Sequence, residues 1–257
     1  MNAGKVAWVT GAGKGIGAAI ALALGRSGAR VAVSARTAAD IERVAAAIRE
    51  AGGEAVAVAC DVTRPDSIAN AVASVAHALG PVAILVNNAG AAESHKFLGH
   101  DDALWRRMLE ANLDSVYYVT KAVLPMMLEA KWGRIINIAS IAAKSGGKYV
   151  AAYTAAKHGV LGLTRALAVE LAAEGITVNA VCPGYVDTPM TDRAVSNIAA
   201  RTRLSEAEAR AVLQRTSPQN RLITPAEVAH VVMMLTGDEA RGITGQAINV
   251  DGGAVMV

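Results

Sequence analysis

Aromatic side chains are scarce: one phenylalanine, three tryptophans and five tyrosines make up 4% of the 257 residues. No basic cluster with interleaved aromatics occurs, and a formal charge of +3 with a pI near 8.9 is too mild to imply nucleic acid as a partner. Only two cysteines are present, Cys60 and Cys182. Each closes an apolar run and neither belongs to a C-x-x-C pair, which predicts buried free thiols. The five histidines form no H-E-x-x-H or other metal spacing, so no metal is assigned. Long hydrophobic runs are missing too. Although 53% of the residues are apolar and the mean hydropathy is +0.33, no uninterrupted stretch reaches the roughly 18 residues of a membrane span. Part of that apolar surface is therefore expected between subunits of a homo-oligomer. Met1-Asn2-Ala3-Gly4-Lys5 runs straight into an apolar stretch, with no room for a signal peptide, and a cytoplasmic location is expected.

What is abundant is alternation. Short β-branched runs at 6–9, 31–33 and 55–59 are followed by Ala/Leu-rich stretches at 16–25, 40–51 and 67–79, and further strand-like runs stand at 83–86, 134–138, 176–181 and 247–250. This pattern predicts βαβ units in one α/β domain over 1–257: a Rossmann-like, doubly wound, seven-stranded parallel sheet with helices, about six, on both faces. Residues 191–221 read as a helical excursion between the sixth and seventh strands. Ser205-x-x-Glu208 resembles a capping box, and Thr224-Pro225-Ala226-Glu227 resembles another with proline at its first helical position. The excursion holds six arginines against Asp192, Glu206 and Glu208, a surplus equal to the net charge of the chain.

Between the first strand and first helix stands Thr10-Gly11-Ala12-Gly13-Lys14-Gly15-Ile16-Gly17. A G-x-G-x-x-G fingerprint would need glycine at position 16, and the Walker pattern is absent as well. The T-G-x-x-x-G-x-G spacing still suits a dinucleotide turn: glycines let the backbone approach a pyrophosphate, and the helix aims its N-terminal N–H groups at it. The end of the second strand, Ser34-Ala35-Arg36-Thr37, lacks the carboxylate that would meet a free ribose 2′-hydroxyl. Arg36, with Lys14 as a second cation, instead suits a 2′-phosphate, so NADP(H) is preferred and NAD(H) remains an option.

Tyr153-x-x-x-Lys157 sets a tyrosine and a lysine one helical turn apart, and an ammonium there would favour the phenolate. Hydride transfer to a ketone needs a hydrogen-bond donor and finally a proton at the carbonyl oxygen. The spacing alone is also common in helices without any chemistry. His158, on an adjacent face, reads as structural.

The order of the turn at 10–17, Asn87-Asn88-Ala89-Gly90, Ser140, Tyr153-x-x-x-Lys157 and Pro183-Gly184 resembles the short-chain dehydrogenase/reductase family over essentially the whole chain. The resemblance implies that Tyr153 is the general acid/base, that Lys157 tunes it and holds the nicotinamide ribose, and that Ser140 hydrogen-bonds the substrate oxygen. Asn112 matches an asparagine that supports a proton relay through water. For the cofactor it implies Gly11, Gly13, Lys14, Gly15, Ile16 and Gly17 at the pyrophosphate, Arg36 at the ribose, and Asp61-Val62 at the adenine. Asn88, Ala89 and Gly90 would line it, with Pro183, Gly184, Val186 and Thr188 at the nicotinamide end.

The stretch 132–190, with "GRIINIAS" and "GITVNAVCPG", is similar to the family's β-ketoacyl-thioester and polyketide ketoreductases and its 3-hydroxyacyl-CoA dehydrogenases. A coenzyme A or carrier-protein thioester is thus the expected substrate, with a helical lid at about 188–221 whose arginines would suit its phosphates. Two alternatives stay open: a dehydrogenase of a small secondary alcohol or hydroxy acid, and a non-catalytic dinucleotide-binding scaffold. Family members commonly assemble as tetramers through the C-terminal strand region, and a homotetramer is expected.

Overall fold

In the computed structural model, which describes residues 2–257, the seven strand-like runs pair as one parallel sheet. The strands are β1 (Val6–Thr10), β2 (Arg30–Ala35), β3 (Glu54–Ala59), β4 (Val82–Asn87), β5 (Gly133–Ile138), β6 (Ile176–Pro183) and β7 (Ala247–Val250), in the order β3-β2-β1-β4-β5-β6-β7. Every residue of β1, β5 and β6 is buried, as expected where helices cover both faces.

Alternate side chains feed two cores. On one face Ala7 and Val9 pack with Ile20 and Leu24 of α1 (Gly15–Arg26), with Ile41 and Ile48 of α2 (Ala38–Glu50), and with Val228 and Val232 of α9 (Pro225–Thr236). On the other, Val6 and Trp8 pack with Ile68 and Val75 of α3 (Pro65–Leu79) and Val119 and Val123 of α5 (Ser115–Ala130). Trp8 has no exposed surface, and its indole N–H donates to Ser34 Oγ at 2.7 Å, so this large ring brings no unsatisfied polar group inside.

The remaining helices are α4 (Asp102–Leu109), α6 (Ala151–Leu171), α7 (Pro189–Arg201) and α8 (Glu206–Gln214). Nine α-helices therefore stand among the described residues against about six expected, because a turn of π-helix, Glu110–Asp114, divides α4 from α5 and the excursion after β6 supplies α7 and α8. Both capping boxes form: Ser205 with Glu208 opens α8, and Thr224 with Glu227 opens α9. Among the described residues no helix is long and apolar enough to cross a membrane.

The chain leaves β1 for β2 and β3, then returns to the other side of β1 as β4. At that reversal the connections after β1 and β4 diverge, which opens a crevice at the C-terminal ends of the strands. Thr10 at the end of β1 meets Asn88 and Ala89 after β4 there.

Candidate active site

The glycine turn leads from β1 into the N-terminus of α1. Gly11 (φ 62°) and Gly15 (φ 58°) are left-handed, a conformation in which other residues are strained. A Cβ on Gly11 would stand 2.8 Å from Ala89 Cα, and one on Gly17 would stand 2.4 Å from Asn88 Nδ2. The turn is thus pressed against the loop after β4, and hydrogen bonds hold it there. Asn88 Nδ2 donates to the carbonyls of Thr10 and Gly11, both at 3.0 Å, while Thr10 Oγ1 accepts from the amides of Asn88 at 3.0 Å and Ala89 at 3.1 Å. Gly13 abuts Asp40 of α2, and Arg43 donates to the Gly13 carbonyl at 3.0 Å. Lys14 is the N-cap of α1 and gives no side-chain cap, so the first N–H groups of the helix have no side-chain acceptor.

Arg36 follows β2, is exposed, and forms no ion pair among the described residues. Lys14 makes only a loose contact with Asp40, 3.9 Å, with most of its side chain in solvent. Asp61 sits near Arg36. Burial alone would raise its carboxyl, but bonds from Thr63 N at 3.0 Å and Thr63 Oγ1 at 2.8 Å, with the charges of Arg36 and Arg64, hold it below the usual carboxylate range. A close-approach cradle, an uncapped helix N-terminus and an unpaired guanidinium at the adjacent strand end together fit a phosphorylated dinucleotide.

At the other end of the crevice, α6 carries Tyr153 and Lys157 on one face, with the Lys157 ammonium 5.7 Å from the Tyr153 ring centroid. Lys157 is 4% exposed and donates to the Ile138 carbonyl at the end of β5, 2.9 Å away. Burial pulls its pKa down to about 8, against a small opposing effect of Cys182. Tyr153 moves the other way: burial pushes its hydroxyl above the ordinary tyrosine value, and the neighbouring Ser140 hydroxyl opposes this. The expected depression by the lysine is therefore not the balance in this structure, where desolvation dominates. Ser140 Oγ accepts from Ala142 N at 3.1 Å, which leaves its own proton free to donate.

Asn112 lies in the π-turn, fully buried. Its Nδ2 donates to the carbonyls of Ala91 and Met108, both at 2.9 Å, and its Oδ1 accepts from Ala91 N at 3.2 Å. Its carboxamide thus braces the loop after β4 rather than touching Lys157. A Cβ on Gly90 would meet Asn112 Oδ1 at 2.7 Å and Lys157 Nζ at 3.7 Å, so Gly90 is the point where loop, π-turn and lysine converge. Pro183, the last residue of β6, stands opposite Val250 of β7; after it Gly184 abuts Asp251, Val186 bridges to Ile223, and Thr188 packs over Gly15. That last contact brings the two ends of the crevice together.

The sequence matches the family described as short chain dehydrogenase over residues 5–199. The chain belongs to that family. It is 45% identical over 251 residues to a protein named as a ketoacyl reductase in Streptomyces coelicolor, covering 97% of this chain and 96% of the relative. A 3-oxoacyl-acyl-carrier-protein reductase of Pseudomonas aeruginosa is 42% identical over 253 residues, 98% of either chain. A solved structure of a variant actinorhodin polyketide ketoreductase with NADPH is similar at a TM-score of 0.95, 44% identity and 99% coverage of both chains.

Several contacts in this short chain dehydrogenase carry no sequence signal. Ile138 acts through its backbone carbonyl, which residue type does not encode. The Arg43 brace and the Thr10 hydroxyl depend on which loops meet in space. Of the six excursion arginines, three have protein partners. Arg210 pairs with Asp187 and, at 2.9 Å, with Asp192; Arg221 pairs with Glu227 at 2.6 Å; and Arg201 donates to the Ser94 carbonyl at 2.9 Å. Arg193, Arg203 and Arg215 form no ion pair among the described residues.

Proposed function

We propose that this short chain dehydrogenase reduces the keto group of a β-ketoacyl thioester, carried on coenzyme A or an acyl carrier protein, with NADPH. The observation that carries the reading is the convergence of Ser140, Tyr153 and buried Lys157 at one end of a crevice whose other end offers Arg36 and no carboxylate at the close of β2. The similar proteins named as ketoacyl and 3-oxoacyl-acyl-carrier-protein reductases support the substrate class, and the NADPH in the similar solved structure supports the cofactor.

When bound, the reduced dinucleotide supplies hydride; the other demands fall on the chain. The turn at Gly11, Gly13, Lys14, Gly15, Ile16 and Gly17 would hold its pyrophosphate, Arg36 its 2′-phosphate, and Asp61 and Val62 its adenine. Asn88, Ala89, Gly90, Pro183, Gly184, Val186 and Thr188 would line the rest. Ser140 Oγ donates to the substrate oxygen as negative charge builds there, and Tyr153 Oη delivers the proton. A phenol is protonated at neutral pH, as a donor in the reductive direction requires, and burial raises Tyr153 further from its ordinary value. The Lys157 ammonium then favours the phenolate left behind, and Asn112 supports the relay that returns a proton through water.

Residues 188–221 serve as a substrate lid in this reading, since Arg201 at the end of α7 reaches the loop after β4 through Ser94. Arg193, Arg203 and Arg215 are the cations left for a phosphate-bearing carrier. A homotetramer in the cytoplasm completes the proposal, supported by β7, a sheet edge whose four residues are all half-buried. The test is nicotinamide absorbance with a panel of β-ketoacyl thioesters, plain ketones, hydroxy acids and secondary alcohols, run with both cofactors. Thioester reduction is expected, with Tyr153→Phe folding normally and losing about 10²- to 10⁴-fold in turnover. Turnover of ketones or hydroxy acids but no thioester refutes the substrate class. No turnover at all supports a scaffold, and an active Tyr153→Phe refutes the proton-donor role.

A further inference from the structure

A buried polar chain crosses the sheet beneath this face. Asn87, the last residue of β4, stands opposite Asn137 of β5 in the parallel register. Its Nδ2 donates to Thr120 Oγ1 of α5 at 3.0 Å and to Asn137 Oδ1 at 2.9 Å. Asn137 Nδ2 donates in turn to Thr164 Oγ1 of α6 at 2.9 Å, and the Thr164 hydroxyl donates to the Val160 carbonyl at 2.7 Å. All four side chains are at most 3% exposed. The donors run one way along the chain, and removing any link leaves a buried partner unmatched.

Two features set this chain apart from ordinary buried polar groups. Thr164 lies on the same stripe of α6 as Tyr153, Lys157 and Val160, about two turns beyond the lysine. Asn137 immediately precedes Ile138, whose carbonyl is the one protein acceptor within hydrogen-bond distance of the Lys157 ammonium among the described residues. One side chain thus touches both the helix that carries the lysine and the strand end that receives its hydrogen bond.

We propose that Asn137 is a positioning residue for the Tyr153–Lys157 pair: by tying Thr164 of α6 to the end of β5, it holds the Ile138 carbonyl against the Lys157 ammonium. The inference rests on the reading of Tyr153 and Lys157 as the groups that handle the proton. A buried ammonium with a single protein acceptor depends steeply on where that acceptor stands. Without the tie, α6 is free to shift against β5, and an ammonium that loses its acceptor gives up its proton more readily. The titratable groups that face Lys157 are Tyr153 on its own helix and Cys182 at the end of β6; Gly90, from the loop after β4, adds none.

Thr164→Val exchanges the hydroxyl for a methyl of similar volume, and Asn137→Leu removes both amide bonds. Thr236→Val is the control. Thr236 is also fully buried and accepts from Asn2 Nδ2 at 2.9 Å, at the opposite end of the sheet. Three quantities are measured: the Lys157 side-chain titration by NMR in cofactor-free protein, the pH profile of kcat for an acetoacetyl thioester with NADPH, and Tm. All three variants are expected to lower Tm. Only Thr164→Val and Asn137→Leu should move the Lys157 titration and the kcat profile, down by about one pH unit with about a tenfold loss of kcat, and Thr164→Ser should restore both. If Asn137→Leu fails to fold, Thr164→Val decides. The proposal is overturned if Thr164→Val lowers Tm as the control does and leaves titration and kcat where they were. Because the titration is read without cofactor or substrate, that result is separate from any failure of the thioester reading.

Discussion

Lys157 should make the fold less stable at neutral pH than at alkaline pH, and the size of the effect follows from its burial. The ammonium drops from its ordinary 10.5 to about 8 because the surroundings desolvate it. At about 1.4 kcal/mol per unit, holding it charged in the folded protein costs about 3 kcal/mol below pH 8. Between the two values the unfolded chain binds a proton that the folded chain has released, so stability rises with pH through that window. Lys157→Met keeps the length of the side chain and removes the titration. It leaves the Ile138 carbonyl without its donor, an offset of about 1–3 kcal/mol that does not depend on pH. Urea unfolding of both proteins, at fixed ionic strength and protein concentration and from about pH 7 to 10, isolates the difference. The stability of the methionine variant relative to the parent should fall by most of those roughly 3 kcal/mol as pH rises. Parallel stability curves across the series refute the argument and mean that the lysine is solvated in solution.

Two further outcomes follow from the cofactor end. Arg36→Asp removes the unpaired guanidinium and sets a carboxylate at the close of β2, so the ratio of kcat/KM with NADPH to that with NADH should fall about a hundredfold or more; an unchanged ratio refutes the 2′-phosphate assignment. Gly17→Ala puts a methyl 2.4 Å from Asn88 Nδ2 and 2.5 Å from the Gly11 carbonyl, and should lower stability by about 1–3 kcal/mol by urea unfolding and weaken dinucleotide binding by calorimetry.

The sheet was legible in the sequence because its signal is local. A strand buried on both faces is rich in β-branched and aliphatic residues, and 134–138 and 176–181 each keep that character around a few buried polar side chains, Arg134, Asn137, Thr177 and Asn179. Their observed ends differ by one or two residues, since the strands run on into Gly133 and into Cys182 and Pro183, where pairing with neighbours decides. Both capping boxes could be read because each is a four-residue device with a fixed geometry. What could not be read depends on company across the fold. The π-turn at 110–114 has no compositional mark. The arginine surplus of 191–221 hid the fact that Arg210 and Arg221 have carboxylates to meet and Arg201 a backbone carbonyl. Of the small residues between Tyr153 and Lys157, Ala156 is fully buried against neighbouring elements but Ala155 is exposed. The direction of the Tyr153 shift was misjudged for a related reason: a four-residue spacing reveals a nearby ammonium but not how far the surroundings exclude water.

The π-turn between α4 and α5 amounts to one surplus residue in an otherwise continuous rod, and it makes the position of Asn112 a matter of counting. The five residues of the π-turn span nearly the arc that four would in a regular helix, so deleting a single residue there would mend the backbone ladder and change which side chain occupies the place of Asn112. The site is therefore tuned by an irregularity that a search for stabilising substitutions would tend to remove. A segment chosen for helix strength alone would give a straighter rod, with the asparagine turned away from Ala91 and the loop after β4 left unbraced.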